Sequence, residues 1–264
     1  MPMTTIGDLA VHYEQTGQGE PVLLIHGLGS STEDWEPQVK ALAPDFTVIT
    51  YDVRGHGKTA KPAGRYSVPQ FAEDAARLIR HLGFGPVHVM GLSMGGMIGF
   101  QLAVDHPELV RSLIIVNSGP EMILRTWREK LAIAQRRLIV RMMGMRKMGE
   151  VLAGRLLPAP EHAALRDTFA DRWARNDKGA YLRVLSALVG WGVSDKLPSI
   201  KCRVLVVTAD LDYTPVGWKQ AYTSKMPNAS LVVIPDSRHM MPIERPELFH
   251  AAIIPFLSGV KAAR

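Results

Sequence analysis

Short runs of Val, Ile and Leu recur along this chain, each closed by turn residues and followed by a helical pattern. Residues 22–26, 46–51, 87–90, 113–116, 204–208 and 231–234 form this series. Because their apolar residues are mostly consecutive rather than alternate, such segments suit strands covered on both faces. Residues 4–6 and 10–14 read as a preceding hairpin with Gly7-Asp8 at its turn. Between the strands, Ser67 is positioned to cap a helix that runs to Leu82, where Gly83 stops it. Residues 94–106 form a second helix, halted before Pro107, and segments 215–225 and 246–257 each carry proline near the first turn. This alternation predicts an α/β class chain with a doubly wound, mostly parallel sheet and helices on both faces.

The stretch 120–195 departs from the rhythm. It holds helical patterns at 127–143, 162–175 and 179–188 and no strand. A helical cap is therefore expected between a first core segment, 1–119, and a second, 196–264. Met142, Met143, Met145 and Met148 would line an adaptable apolar cavity there or pack as ordinary core. The cap also concentrates the charge. Residues 121–183 carry 14 Lys or Arg against 7 Asp or Glu, a net of +7 within a chain of net +6. Such a surface attracts acidic groups on a substrate or an acyl carrier, or is simply a set of solvated helix faces. No nucleic-acid-binding motif accompanies it, so nucleic acid is not an expected partner.

With 47% hydrophobic and 21% charged residues, the chain has the make-up of a globular domain rather than a disordered or membrane one. The single cysteine, Cys202, cannot form an intramolecular disulfide and reads as a packed thiol at the mouth of a strand. The N-terminus has neither a basic start nor an apolar h-region, and no apolar run reaches the roughly 18 residues of a membrane span. These features fit a cytoplasmic setting.

The strongest chemical signal is Gly91-Leu92-Ser93-Met94-Gly95-Gly96. It follows the strand 87–90 and opens a helix, the context in which a sharp turn lifts a serine hydroxyl clear of its neighbours. A serine hydroxyl is a weak nucleophile and needs a base, which in turn needs an orienting acid. Of nine histidines, His26 and His56 sit in Gly-flanked turns and His106 follows a helix, so structural roles suffice. His12, His81, His88, His162 and His250 have surface or helix-face explanations. His239 lies in the loop after the last strand, and such loops gather at the carboxyl edge of a doubly wound sheet, beside the serine turn. Asp210 and Asp212 both follow the strand 204–208, and periodicity does not separate them.

The chain resembles the α/β-hydrolases over essentially its whole length. The resemblance is carried by His26-Gly27-Leu28-Gly29, Asp52-Val53-Arg54-Gly55-His56-Gly57, the Ser93 turn, Asp105-His106-Pro107-Glu108, and Ala209-Asp210-Leu211-Asp212-Tyr213-Thr214-Pro215 with His239. It implies the order nucleophile Ser93, acid Asp212 (favoured over Asp210), base His239. It also implies an oxyanion hole from the backbone N–H groups of Leu28 and Met94. No metal or organic cofactor is implied. The activity it implies is hydrolysis of a small-molecule carboxylic ester through an acyl-enzyme. Enol-lactone or carrier-protein methyl ester hydrolysis is the near alternative, and cofactor-free perhydrolase or haloperoxidase chemistry uses the same residues. A ligand receptor without catalysis is the alternative of a different class. Serine at position 93 argues against relatives with an aspartate nucleophile, and Met240 after His239 against carbon–carbon bond hydrolases, which commonly have Trp there.

Overall fold

The computed structural model describes residues 2–259. Eight strands form one sheet: β1 (Met3–Ile6), β2 (Leu9–Thr16), β3 (Glu20–Ile25), β4 (Phe46–Tyr51), β5 (Val87–Leu92), β6 (Val110–Val116), β7 (Arg203–Ala209) and β8 (Ala229–Ile234). Their spatial order is β1-β2-β4-β3-β5-β6-β7-β8. β2 runs antiparallel to both neighbours, and every pair from β4 to β8 is parallel. The consecutive apolar runs are buried as expected: all six residues of β4 and of β5 are buried. The hairpin closes through Ile6 opposite Leu9, with Gly7 at φ 62°.

Nine helices accompany the described strands: α1 (Glu36–Leu42), α2 (Val68–His81), α3 (Met94–Asp105), α4 (Trp127–Leu156), α5 (Ala163–Ala174), α6 (Lys178–Leu188), α7 (Val216–Thr223), α8 (Met241–Glu244) and α9 (Pro246–Ser258). α2 starts as its sequence indicates, with the Ser67 side chain accepting from the Gln70 N–H, and Gly83 follows its end at φ 71°. α3 is apolar on almost every side and is buried against β5 and β6. α1 has no counterpart in the sequence reading, because seven residues with three polar side chains give little periodicity. None of the described helices is long and apolar enough to cross a membrane.

α4 to α6 come between β6 and β7. α4 begins at a capping box, in which the Thr126 side chain accepts from the Glu129 N–H and Glu129 bonds back to the Thr126 N–H. It continues well past residue 143, because Gly144 takes φ 81°, kinks the helix and lets it resume. The methionines divide there. Met145 and Met148 are buried, whereas Met142 and Met143 face solvent on the preceding turn. The cap is tied to the loop after β3 by Arg172 on Asp34 (2.6 Å) and by Asn176 Nδ2 on the Gly29 carbonyl (2.8 Å).

Beneath that loop lies a buried polar frame. Asp52 Oδ1 accepts from the Thr32 N–H (2.9 Å), and Oδ2 accepts from the Lys58 N–H (2.8 Å) and from His12 Nδ1 (3.0 Å). Arg54 makes a two-pronged pair with Asp74 at 2.7 and 2.8 Å, both side chains being almost wholly enclosed. His12 and His88 are buried, which differs from the surface roles their sequence context suggests. The first serves Asp52, and the second bridges Ser112 and Glu20 across the sheet. Removing one partner of an enclosed ion pair leaves the other uncompensated. Asp74→Ala should therefore lower unfolding stability by about 3–5 kcal/mol in a urea titration.

Candidate functional site

The chain order β3, β4, β5 reverses direction across the sheet: β4 lies on one side of β3 and β5 on the other. Loops leaving the carboxyl ends of β3 and β5 therefore diverge from a shared crevice, the usual ligand position in an open α/β sheet. The register pairs Ile25 with Gly91, so His26-Gly27-Leu28 runs beside Leu92-Ser93-Met94.

Ser93 occupies the turn between β5 and α3 at φ 54°, ψ −114°, a conformation that L-residues avoid. It persists because its surroundings leave no other path. The Ser93 N–H bonds to the Val116 carbonyl (2.9 Å), and the Ser93 carbonyl accepts from Ser118 Oγ (2.6 Å) and the Gly96 N–H (2.9 Å). A Cβ on Gly95 would fall 1.9 Å from the Ile25 carbonyl oxygen, and one on Gly91 would fall 2.2 Å from the Gly95 backbone. Met94 is the first residue of α3, where backbone N–H groups have no intrahelical acceptor. A Cβ on Gly27 would stand in ordinary contact with that of Ser93 (3.7 Å), and Leu28 and Ser93 line the same cavity. His26 shapes this turn from within. Its Nδ1 donates to the Gly27 carbonyl (2.8 Å) and its Nε2 accepts from the Val53 N–H (3.0 Å). Burial pushes its pKa down, consistent with a neutral ring using both nitrogens structurally.

The second half of the site sits at the ends of β7 and β8. His239 Nδ1 donates to Asp212 Oδ1 at 2.8 Å. The other oxygen of Asp212 accepts from Lys219 Nζ (2.5 Å) and from Thr214 Oγ1. Burial opposes the Asp212 charge. The hydrogen bond and charge of His239, with Lys219 behind, outweigh that and hold its carboxyl far below the usual range. Asp210 faces the other way: its oxygens accept from the Asp236 and Ser237 N–H groups, each at 3.1 Å, and so shape the loop that carries His239.

Three contributors lay outside the sequence reading. Asn117, at φ 42° just past β6, donates through Nδ2 to the Arg238 (3.1 Å) and His239 (3.0 Å) carbonyls while its Oδ1 accepts from the Ala209 N–H (2.9 Å). One side chain thus links the acid loop to the histidine loop. Lys219 is wholly buried, and its ammonium also donates to Thr208 Oγ1 (2.6 Å). Burial lowers its pKa, and the charge of Asp212 works in the opposite sense. Tyr213 presents its hydroxyl 3.1 Å from His239 Nε2 and also interacts with the Ser93 side chain. Among the described residues no hydrogen bond runs directly from Ser93 to His239, and in this conformation the phenol connects them. Only Asn117 had a visible cue, as a polar residue directly after an apolar strand.

Ser93, His239, Leu28 and Met94 all line one cavity of about 510 Å³ beneath α4. Its walls are largely apolar, including Met97, Ile139, Met148, Leu152 and Phe169, and Arg136 is among the few charged groups that reach it. Cys202 lies elsewhere, packed on the core, with its thiol pushed up to about 11 by burial.

Residues 20–137 match the family described as alpha/beta hydrolase fold. Over 259 residues the chain is 31% identical to RutD of Caulobacter segnis, named for carbamate hydrolysis, with 94% of this chain and 95% of that protein aligned. The enol-lactonase of Burkholderia xenovorans superposes with a TM-score of 0.90 at 25% identity, covering 97% of this chain and 100% of that one. A thermophilic esterase from Thermogutta terrifontis gives 0.89 at 27% identity, with 98% and 97% covered.

The tight approach around Ser93 is open to a direct check. Gly95→Ala forces a methyl group against a backbone carbonyl that cannot swing aside. The variant should lose about 1–3 kcal/mol or more in urea unfolding.

Proposed function

The chain belongs to the α/β-hydrolase family, and from that premise we propose that it hydrolyses carboxylic esters through an acyl-enzyme on Ser93. The observation that carries this reading is the 2.8 Å bond from His239 to a buried, ionised Asp212, at the rim of the cavity that Ser93 enters from its strained turn. An imidazole held at Nδ1 by a carboxylate presents a basic Nε2, which is what a serine hydroxyl requires.

His239 Nε2 takes the Ser93 proton as Oγ bonds to the carbonyl carbon. The carbonyl oxygen becomes an oxyanion, which the Leu28 and Met94 N–H groups stabilise, each such donor contributing about 3–4 kcal/mol in comparable sites. Collapse breaks the bond to the alcohol oxygen, and the alcohol leaves with the proton from His239. Water then attacks the acyl-enzyme, giving a proton to His239 that returns to Ser93 Oγ as the acid departs. Asp212 remains ionised and steadies the imidazolium. For this sequence to begin, the Tyr213 phenol has to release Nε2. The residue is 66% exposed with its ring centre 4.4 Å from that of His239, and catalytic hydrogen bonds often tighten only when substrate binds. A lactone follows the same steps with its alcohol still tethered. The relatives' names, carbamate hydrolase, enol-lactonase and esterase, support attack on a carbonyl bearing a heteroatom leaving group.

Two kinetic outcomes test the reading. Ser93→Ala should lower kcat on p-nitrophenyl butyrate by at least about 10⁴-fold, with the unfolding transition retained, and survival of most activity would refute it. Lys219 shares the Asp212 charge with His239, so Lys219→Met leaves that charge facing the imidazole alone. Asp212 also loses one of the bonds that position it, and kcat/KM on the same ester should fall by about 100-fold, the cost of a displacement of roughly 1 Å in a catalytic group.

A further inference from the structure

We infer that Arg136 is the anchor for a carboxylate at the far end of the acyl group, so that the preferred substrates are half-esters of dicarboxylic acids or lactones bearing a carboxylate. This rests on the acyl-enzyme reading above and gives it a substrate class. The cap's cations do not act together. Arg136 and Arg155 line the same cavity as Ser93, and of these Arg155 is exposed to water while Arg136 is partly enclosed; Arg137 instead reaches Ser186 Oγ (3.4 Å) and Arg141 is exposed.

The setting of Arg136 is unusual for a partly enclosed charge. Its Nε donates to the Tyr181 hydroxyl, and its guanidinium carbon stands 5.5 Å from the Tyr181 ring centre and 5.8 Å from that of Trp173. These contacts orient the guanidinium without neutralising it. Among the described residues no carboxylate lies within ion-pair distance of Arg136, and its two terminal nitrogens have no protein acceptor. The carboxylates that might have answered it are committed elsewhere. Asp34, which also reaches the cavity, accepts from Ser30 Oγ and pairs with Arg172 at 2.6 Å. Glu129, on the same helix, closes the capping box at Thr126. By contrast, Arg172 and Lys219 have carboxylate partners, as Arg238 has Glu244 at 3.7 Å.

A partly enclosed guanidinium with its forked end unanswered matches a planar, singly charged, two-oxygen acceptor. A carboxylate meets that description. A phosphate dianion would call for more donors than one guanidinium supplies. The apolar walls between the cavity's polar groups suit a methylene spacer, with the ester carbonyl at Ser93 and the free carboxylate at Arg136. The bond to the Tyr181 hydroxyl and the nearby Trp173 ring orient the guanidinium before the ligand arrives, which lowers the ordering that binding requires.

The test compares methyl half-esters of succinate, glutarate and adipate with methyl butyrate, valerate and hexanoate, in which a methyl group replaces the distal carboxylate. At low ionic strength the intact enzyme should favour the charged ester in kcat/KM by about tenfold or more at one chain length. Arg136→Met should reduce that charged-to-neutral ratio by about 30-fold or more. Arg136→Lys, which keeps the charge but loses the fork, should fall between. Glutarate or adipate alone should raise the melting temperature of the wild type and not of Arg136→Met, a readout independent of turnover. Hydrolysis of neutral esters with a ratio at or below one at every length would overturn the anchor and leave the acyl-enzyme reading standing, as would an unchanged ratio in Arg136→Met. Absence of turnover on every ester, with the thermal shift by dicarboxylate still present and dependent on Arg136, would overturn the acyl-enzyme reading and keep the anchor. Absence of both would overturn the anchor.

Discussion

The site depends on how closely two backbone segments come together: the end of β3 and the first turn of α3. Where Gly95 meets the Ile25 carbonyl there is no room for even a methyl group, and this contact holds Ser93 in its left-handed turn. The same approach sets His26-Gly27-Leu28 beside Ser93-Met94. Strain at a single residue, of order 1–3 kcal/mol, is sustained only where the surroundings over-determine it. Here they include the bonds from Val116, Ser118 and Gly96.

The rest of the site is organised by buried polar side chains. Asn117 links the loops after β7 and β8, and Asp210 folds the second of them from outside. Lys219 stands behind Asp212 as a cation with no access to solvent, a costly group to enclose unless paired and hydrogen-bonded, as it is here by Asp212 and Thr208. The acid facing His239 is therefore one member of a charge pair rather than an isolated carboxylate.

Much of this was legible in the residues themselves. The strands could be read because burial on both faces writes itself as consecutive Val, Ile and Leu, and Ser67 and Gly83 bracket α2 by local chemistry alone. The Ser93 turn, the loop of His239 and the cap helices followed from strand–helix order. What escaped depends on distance in space. Lys219 looks like any lysine in a short helix until β7 and the Asp212 loop fold around it. His12 and His88 look like solvent-facing residues until Asp52, Ser112 and Glu20 reach them from other strands. Met142 and Met143 differ from Met145 and Met148 only because Gly144 kinks the helix between them. Likewise a count of cap charges does not reveal that Arg136 reaches the cavity while Arg141 is exposed.

The central claim is that the Ser93 hydroxyl is activated by the His239 imidazole. The most direct measurement is mass-spectrometric mapping after treatment with a fluorophosphonate, which bonds to activated serine oxygens. The account predicts one adduct per chain, on the peptide containing Ser93, absent after unfolding and absent in His239→Ala. A folded protein that remains unmodified at Ser93, or that is modified there equally well without His239, would contradict it.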